Sequence, residues 1–239
     1  MQTAKMTLPV SDQRARLPAD GMDVVRDARG MRVGRSETVI AFDGERHNEP
    51  FMLALRAIDA PRVNLFLEAS ASGRWLYDAV AEIAHEGRRP TCIAVDQGGS
   101  ARCLPVRDSH FISPYDFYGK KRLFPALWFT RDGIGLKVLA GNMGPRCKPA
   151  RGLVAPNTAT SRDWKTLRDC ARQLWKKRVD TSDAEHEVTI IATTATDVAE
   201  VVRAVEAVRF DERGERMFDV VALRSAYDAP DAVDDAPAR

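Results

Sequence analysis

The strongest constraint on this chain is a repeat of its own sequence. Val188 to Val205 reads VTIIATTATDVAEVVRAV, and Val63 to Val80 reads VNLFLEASASGRWLYDAV. The two align without a gap at an offset of 125 (188 less 63). Val63 meets Val188, Leu65 meets Ile190, Phe66 meets Ile191, Leu76 meets Val201, Ala79 meets Ala204 and Val80 meets Val205. Each copy opens on an apolar, β-branched run, crosses a Ser/Thr/Ala turn and then takes a helical period. In the second copy Asp197 is placed to cap a helix, with Glu200 three residues on as in a capping box. Val198, Val201, Val202, Val205 and Val208 follow at helical spacing. Each copy therefore reads as strand, tight turn and amphipathic helix.

A second match lies upstream. Arg26 to Val33 (RDARGMRV) and Arg131 to Val138 (RDGIGLKV) share R-D-x-x-G-[ML]-[RK]-V at an offset of 105 (131 less 26). An Asp/Gly-rich turn between short apolar runs predicts a hairpin. Return strands are expected at Thr91 to Val95 (TCIAV) and Asp219 to Leu223 (DVVAL). A repeat of this length points to a tandem duplication of one small domain.

The 239 residues suit that reading, with roughly 100 residues per copy, enough to bury a core. The predicted organisation is a flexible lead-in over 1–21, a first domain over 22–103, a linker over 104–124, a second domain over 125–224 and a disordered acidic tail over 225–239. Each domain is expected to be α+β, ordered β-β-α-β-α-β, with two helices packed on a small mixed sheet. In the first copy a strand is expected at Glu37 to Phe42 and helices at Glu49 to Ile58 and Gly73 to Glu86. Gly87 is placed as a C-terminal cap, and Gln97-Gly98-Gly99-Ser100 as a turn. In the second copy Gly141 to Thr160 reads as a long loop. Ser161 is placed to cap a helix running to about Arg178, with the stripe Trp164, Leu167, Ala171, Leu174 and Trp175.

Charge excludes some functions. With 36 basic and 34 acidic residues the formal charge is +2, so bulk charge gives no footprint for nucleic acid or an anionic membrane. No apolar run approaches the ~18 residues of a membrane span, and the N-terminal stretch lacks the apolar core of a signal peptide. The linker mixes Phe111, Tyr115, Phe117 and Tyr118 with Lys120, Lys121 and Arg122. That mixture suits stacking on nucleic acid or glycan, or packing between the domains, and the second reading is preferred.

Catalytic patterns are missing. There is no G-x-S-x-G elbow and no phosphate-binding G-x-x-x-x-G-K-[ST]. Gly133 and Gly135 lie in a predicted hairpin, with Val138 where a third glycine would stand. His47, His85, His110 and His186 are too far apart to share one helix face. Asp96 and Asp132 sit at strand ends, where turns also favour Asp. No catalytic residue, cofactor or metal ligand is therefore expected. The four cysteines, Cys92, Cys103, Cys147 and Cys170, form no CxxC. They are either ordinary thiols or two disulfides, one per half, in an oxidising compartment. Of the three possible pairings, proximity favours Cys92–Cys103 and Cys147–Cys170.

With the duplication in view, the chain resembles the ExbD/TolR family. These are accessory subunits of bacterial proton-driven energy-transducing complexes in the inner membrane. The residues that carry the likeness are Val188, Ile190, Ala192, Val201 and Val202, followed by DVVAL. Cys147 in GPRC and Cys170 in LRDCARQL match the cysteines of long, myxobacterial ExbD-like proteins. The resemblance implies a non-enzymatic periplasmic role. It also implies partners of the ExbB/TolQ and TonB/TolA kinds, contact with peptidoglycan, and a homodimer. Family members carry one N-terminal membrane helix with an Asp essential to proton use, which this sequence does not contain; Met6 to Asp12 resembles the family's segment just after that helix. The competing readings are a soluble α/β protein-binding or cell-wall-binding module with no transport role, in its main form cytosolic with free thiols, and an enzyme of unknown class. The redox state of the cysteines separates the former from the family reading; a deep polar pocket would mark the latter.

Overall fold

A computed structural model describes residues 6–11, 15–27, 30–36, 38–41, 48–86, 91–108, 125–138, 147, 153–158, 161–177, 187–192, 196–218 and 220–225. The first half holds β1 (Gly21–Asp27), β2 (Gly30–Val33), α1 (Glu49–Arg56), β3 (Arg62–Leu67), α2 (Gly73–His85), β4 (Thr91–Gln97) and β5 (Ser100–Asp108). The second holds β6 (Pro125–Phe129), β7 (Gly133–Val138), β8 (Leu153–Pro156), α3 (Trp164–Lys177), β9 (Glu187–Ala192), α4 (Val198–Arg209) and β10 (Val220–Ser225).

Among the described residues the architecture is mixed α/β, with four helices and two five-stranded mixed sheets joined edge to edge into one of ten strands. Strand order is β2-β1-β3-β4-β5 in one sheet and β10-β9-β6-β7-β8 in the other. The sheets join where β5 pairs in parallel with β10, at Arg107 opposite Ala222 and Asp108 opposite Leu223. Within each half the same four strands recur in the same order, β2-β1-β3-β4 and β7-β6-β9-β10. In both, the first strand runs antiparallel to its hairpin mate and parallel to the strand that follows the first helix.

The apolar periods place the core. Val63, Leu65 and Leu67 alternate inward along β3, and Val188 and Ile190 do so along β9. Leu76, Ala79, Val80 and Ile83 of α2 close over them, as do Val201, Val202, Val205 and Val208 of α4. These side chains form one contiguous cluster that spans both halves. Burying a Val or Leu side chain contributes about 1.5–3 kcal/mol, so this shared core helps tie the halves together.

The repeated βα unit keeps its offset of 125 to the residue: Arg62–Leu67 answers Glu187–Ala192, and α2 starts at Gly73 where α4 starts at Val198. The hairpin motif does not keep its register. Val24 lies opposite Leu65, and Leu127 lies opposite Ile190. The hairpins therefore correspond at an offset of 103 (127 less 24), where the shared motif has 105. Arg26 and Asp27 end a strand, whereas Arg131 and Asp132 lie between β6 and β7. A slip of two leaves each side chain on its own face, so the apolar pattern matches in either register.

Other differences have local causes. β5 runs into the residues expected to be linker. It follows a two-residue turn in which Gly98 and Gly99 have φ of 59° and 85°, the hand that continues a hairpin. Pro105 obscured it, because proline argues against a strand. Residues 109–124 lie outside the described residues. Where the expected 37–42 strand is described, it holds a single bridge, Ile40 to Met31. The loop expected over 141–160 contains β8, which pairs with β7. Asp163, not Ser161, caps α3, accepting from the Thr166 N–H at 3.0 Å; Ser161 is engaged with Thr158. The lead-in makes backbone hydrogen bonds where it is described: the Asp96 N–H donates to Pro9, the Ser11 N–H to Asp96 and the Cys103 N–H to Ala15. Gly87 and residues 226–239 lie outside the described residues. Among the described residues no helix is long and apolar enough to cross a membrane.

Candidate functional site

The repeated strand-to-helix turns meet each other. Ser72 ends one and Asp197 the other, and these two equivalent residues form an antiparallel bridge. The Gly73 N–H donates to Thr196 O at 2.6 Å, and the Val198 N–H donates to Ala71 O at 2.8 Å. Exchanging each residue for its equivalent in the other half, 125 away (73 for 198, 196 for 71), turns the first bond into the second. That reciprocity is the signature of an isologous contact, here between the halves of one chain. Gly73 permits the approach, since a Cβ there would stand 3.0 Å from Thr196 O and 3.1 Å from the Val201 side chain.

The two helix starts differ chemically. Asp197 caps α4, its carboxylate accepting from the Glu200 N–H at 2.7 Å. The Glu200 side chain pairs with Arg162, at 2.5 Å to Nε. Arg162 also donates to the carbonyls of Thr130 at 2.9 Å and Gly133 at 3.2 Å, and lies over the Phe129 ring. It thus ties the β6–β7 hairpin to the first turn of α4. In the first half Trp75 stands where the repeat has Glu200, and the Arg26 guanidinium sits 4.2 Å from its ring centroid. Burial lowers the Arg26 pKa, with Glu68 and Asp27 pulling the other way. Ser72 makes no side-chain cap to α2.

In open α/β sheets ligands bind beyond the carboxyl ends of parallel strands. Here polypeptide occupies those ends at the seam. Residues 71–73, leading into α2, pair with residues 196–198, leading into α4. The Ala69 N–H donates to Thr7 O at 2.9 Å, and residues 9–11 bridge to Asp96 at the end of β4. Ser11 is buried and its hydroxyl bonds the Glu206 carboxylate of α4, so the lead-in touches both halves. A void of about 10 Å³ beneath α3, between Leu127, Leu167, Leu174 and Phe218, has apolar walls and room for one water at most. Among the described residues no three His, Cys, Asp or Glu side chains converge as a metal would require.

The cysteines pair as Cys92–Cys103 and Cys147–Cys170, with Cα separations of 5.1 and 5.0 Å. The first links adjacent antiparallel strands β4 and β5; the second holds Cys147 against α3. Asp96 accepts from the Gly99 N–H at 2.8 Å and serves the turn. Asp132 is exposed beside the Thr130 turn, its N–H 3.2 Å from the Thr130 hydroxyl. His85 lies in the last turn of α2; His47, His110 and His186, and the aromatics of 109–124, lie outside the described residues. Arg162 did not stand out in the sequence, and Arg26 did so only as the first residue of the shared R-D-x-x-G motif, with no sign of its ring partner. Ser72 and Asp197 did carry a signal, because they occupy the same place in the repeat.

Compared with known proteins, the chain matches no family model, no curated protein and no solved structure.

Proposed function

We propose that this chain is a tandem pair of ExbD/TolR-like periplasmic domains. In that role it is a non-enzymatic accessory component of a proton-motive-force-driven complex of the TonB/ExbB/ExbD or Tol–Pal type, associated with the inner membrane. The observation that carries the reading is the strand order 2-1-3-4 repeated in both halves, with the equivalent turns paired at Ser72 and Asp197. Two further features support it. Two buried disulfides suit an oxidising compartment such as the periplasm. Strand ends filled by the chain's own segments favour a protein whose work is done on its surface. Partners of the ExbB/TolQ and TonB/TolA kinds, and peptidoglycan, belong to the same proposal.

The test is crosslinking in cells of the native host. A photo-reactive residue replaces Leu53, which is 53% exposed, or Val10, which is 72% exposed. The expected adduct contains an ExbB/TolQ-like or TonB/TolA-like protein, identified by mass spectrometry. The four cysteines should resist alkylation until a reductant is added. A cytosolic protein with free thiols, or adducts that contain neither class of partner, would overturn the proposal.

A further inference from the structure

We draw no further inference here: the strongest candidate, the uncapped first turn of α2 at the seam beside the Arg26 guanidinium, is a helix N-terminus with no second feature to mark a ligand, since Arg26 is only partly buried and already stacked on Trp75.

Discussion

At the scale of single residues, Gly135 owes its identity to one neighbour. It stands directly opposite Trp128 across the β6–β7 pair. A Cβ at this position would overlap Cε2, Cζ2 and Nε1 of the indole. Gly135→Ala should therefore destabilise the protein by about 1–3 kcal/mol through overpacking. In a Trp128→Ala background the same change should cost little, because the overlap is gone. A double-mutant cycle by urea denaturation reads the coupling; additive effects would show that the indole is not the obstacle. Asp211 illustrates an electrostatic residue. Burial alone would favour its neutral acid, but N–H donors from Glu215 and Arg213, together with the Arg172 charge, outweigh that and hold its pKa below the ordinary carboxylate value. A carboxylate with a depressed folded pKa stabilises above its unfolded pKa, and that stability is lost as pH falls through the folded value. Asp211→Asn should therefore be less stable than the parent at neutral pH. The difference should shrink as pH drops below the ordinary carboxylate range. Urea midpoints measured from pH 7 downward decide this, and a gap independent of pH would rule it out.

At the scale of elements, the two repeated helices allow a matched comparison. Asp197 caps α4 through the Glu200 N–H, whereas Ser72 makes no side-chain cap to α2. Asp197→Ala should cost about 1 kcal/mol, the usual worth of a side-chain cap, and Ser72→Ala only a few tenths. Equal losses in denaturant titrations would mean that the bridge between the turns, and not the cap, sets the value of both positions. The elements also show what the sequence carries. The βα units were legible to the residue, because an apolar run that turns into a 3.6-residue period fixes both the strand and the helix start. The hairpins were legible in kind but not in register, since a two-residue slip changes no face. β5 was hidden by Pro105, and the anchoring of the lead-in by the nature of its contacts, which are mostly backbone hydrogen bonds that leave little side-chain pattern. The roles of Arg26 and Arg162 were hidden for a similar reason, although Arg26 opens the shared R-D-x-x-G motif. Their partners are rings, carbonyls and a carboxylate brought near only by folding.

At the scale of the whole molecule, the question is whether a repeat makes two folding units or one. Duplicated domains joined by a linker usually unfold separately, and two-state behaviour fails for such chains. Here one apolar cluster runs through both halves, and the turns of the repeat exchange backbone hydrogen bonds at the seam. The halves should therefore unfold together. The cysteines offer a reporter in each half: Cys92 and Cys103 are 1% and 6% exposed, and Cys147 and Cys170 are both 0% exposed. Neither disulfide should react with a brief pulse of thiol reductant in the folded state. In a urea series, pulsed with reductant, alkylated and mapped by mass spectrometry, both should become reducible at one shared midpoint. Replacing Gly73 with leucine tests the cause. The larger side chain has no room between Thr196 O and Val201, so it should wedge the turns apart and split the single transition into two. A parent protein whose disulfides open at clearly different urea concentrations would show that the seam is a contact between independent domains. A Gly73→Leu variant that unfolds at a lower but still shared midpoint would place the coupling in the common core and not in the paired turns.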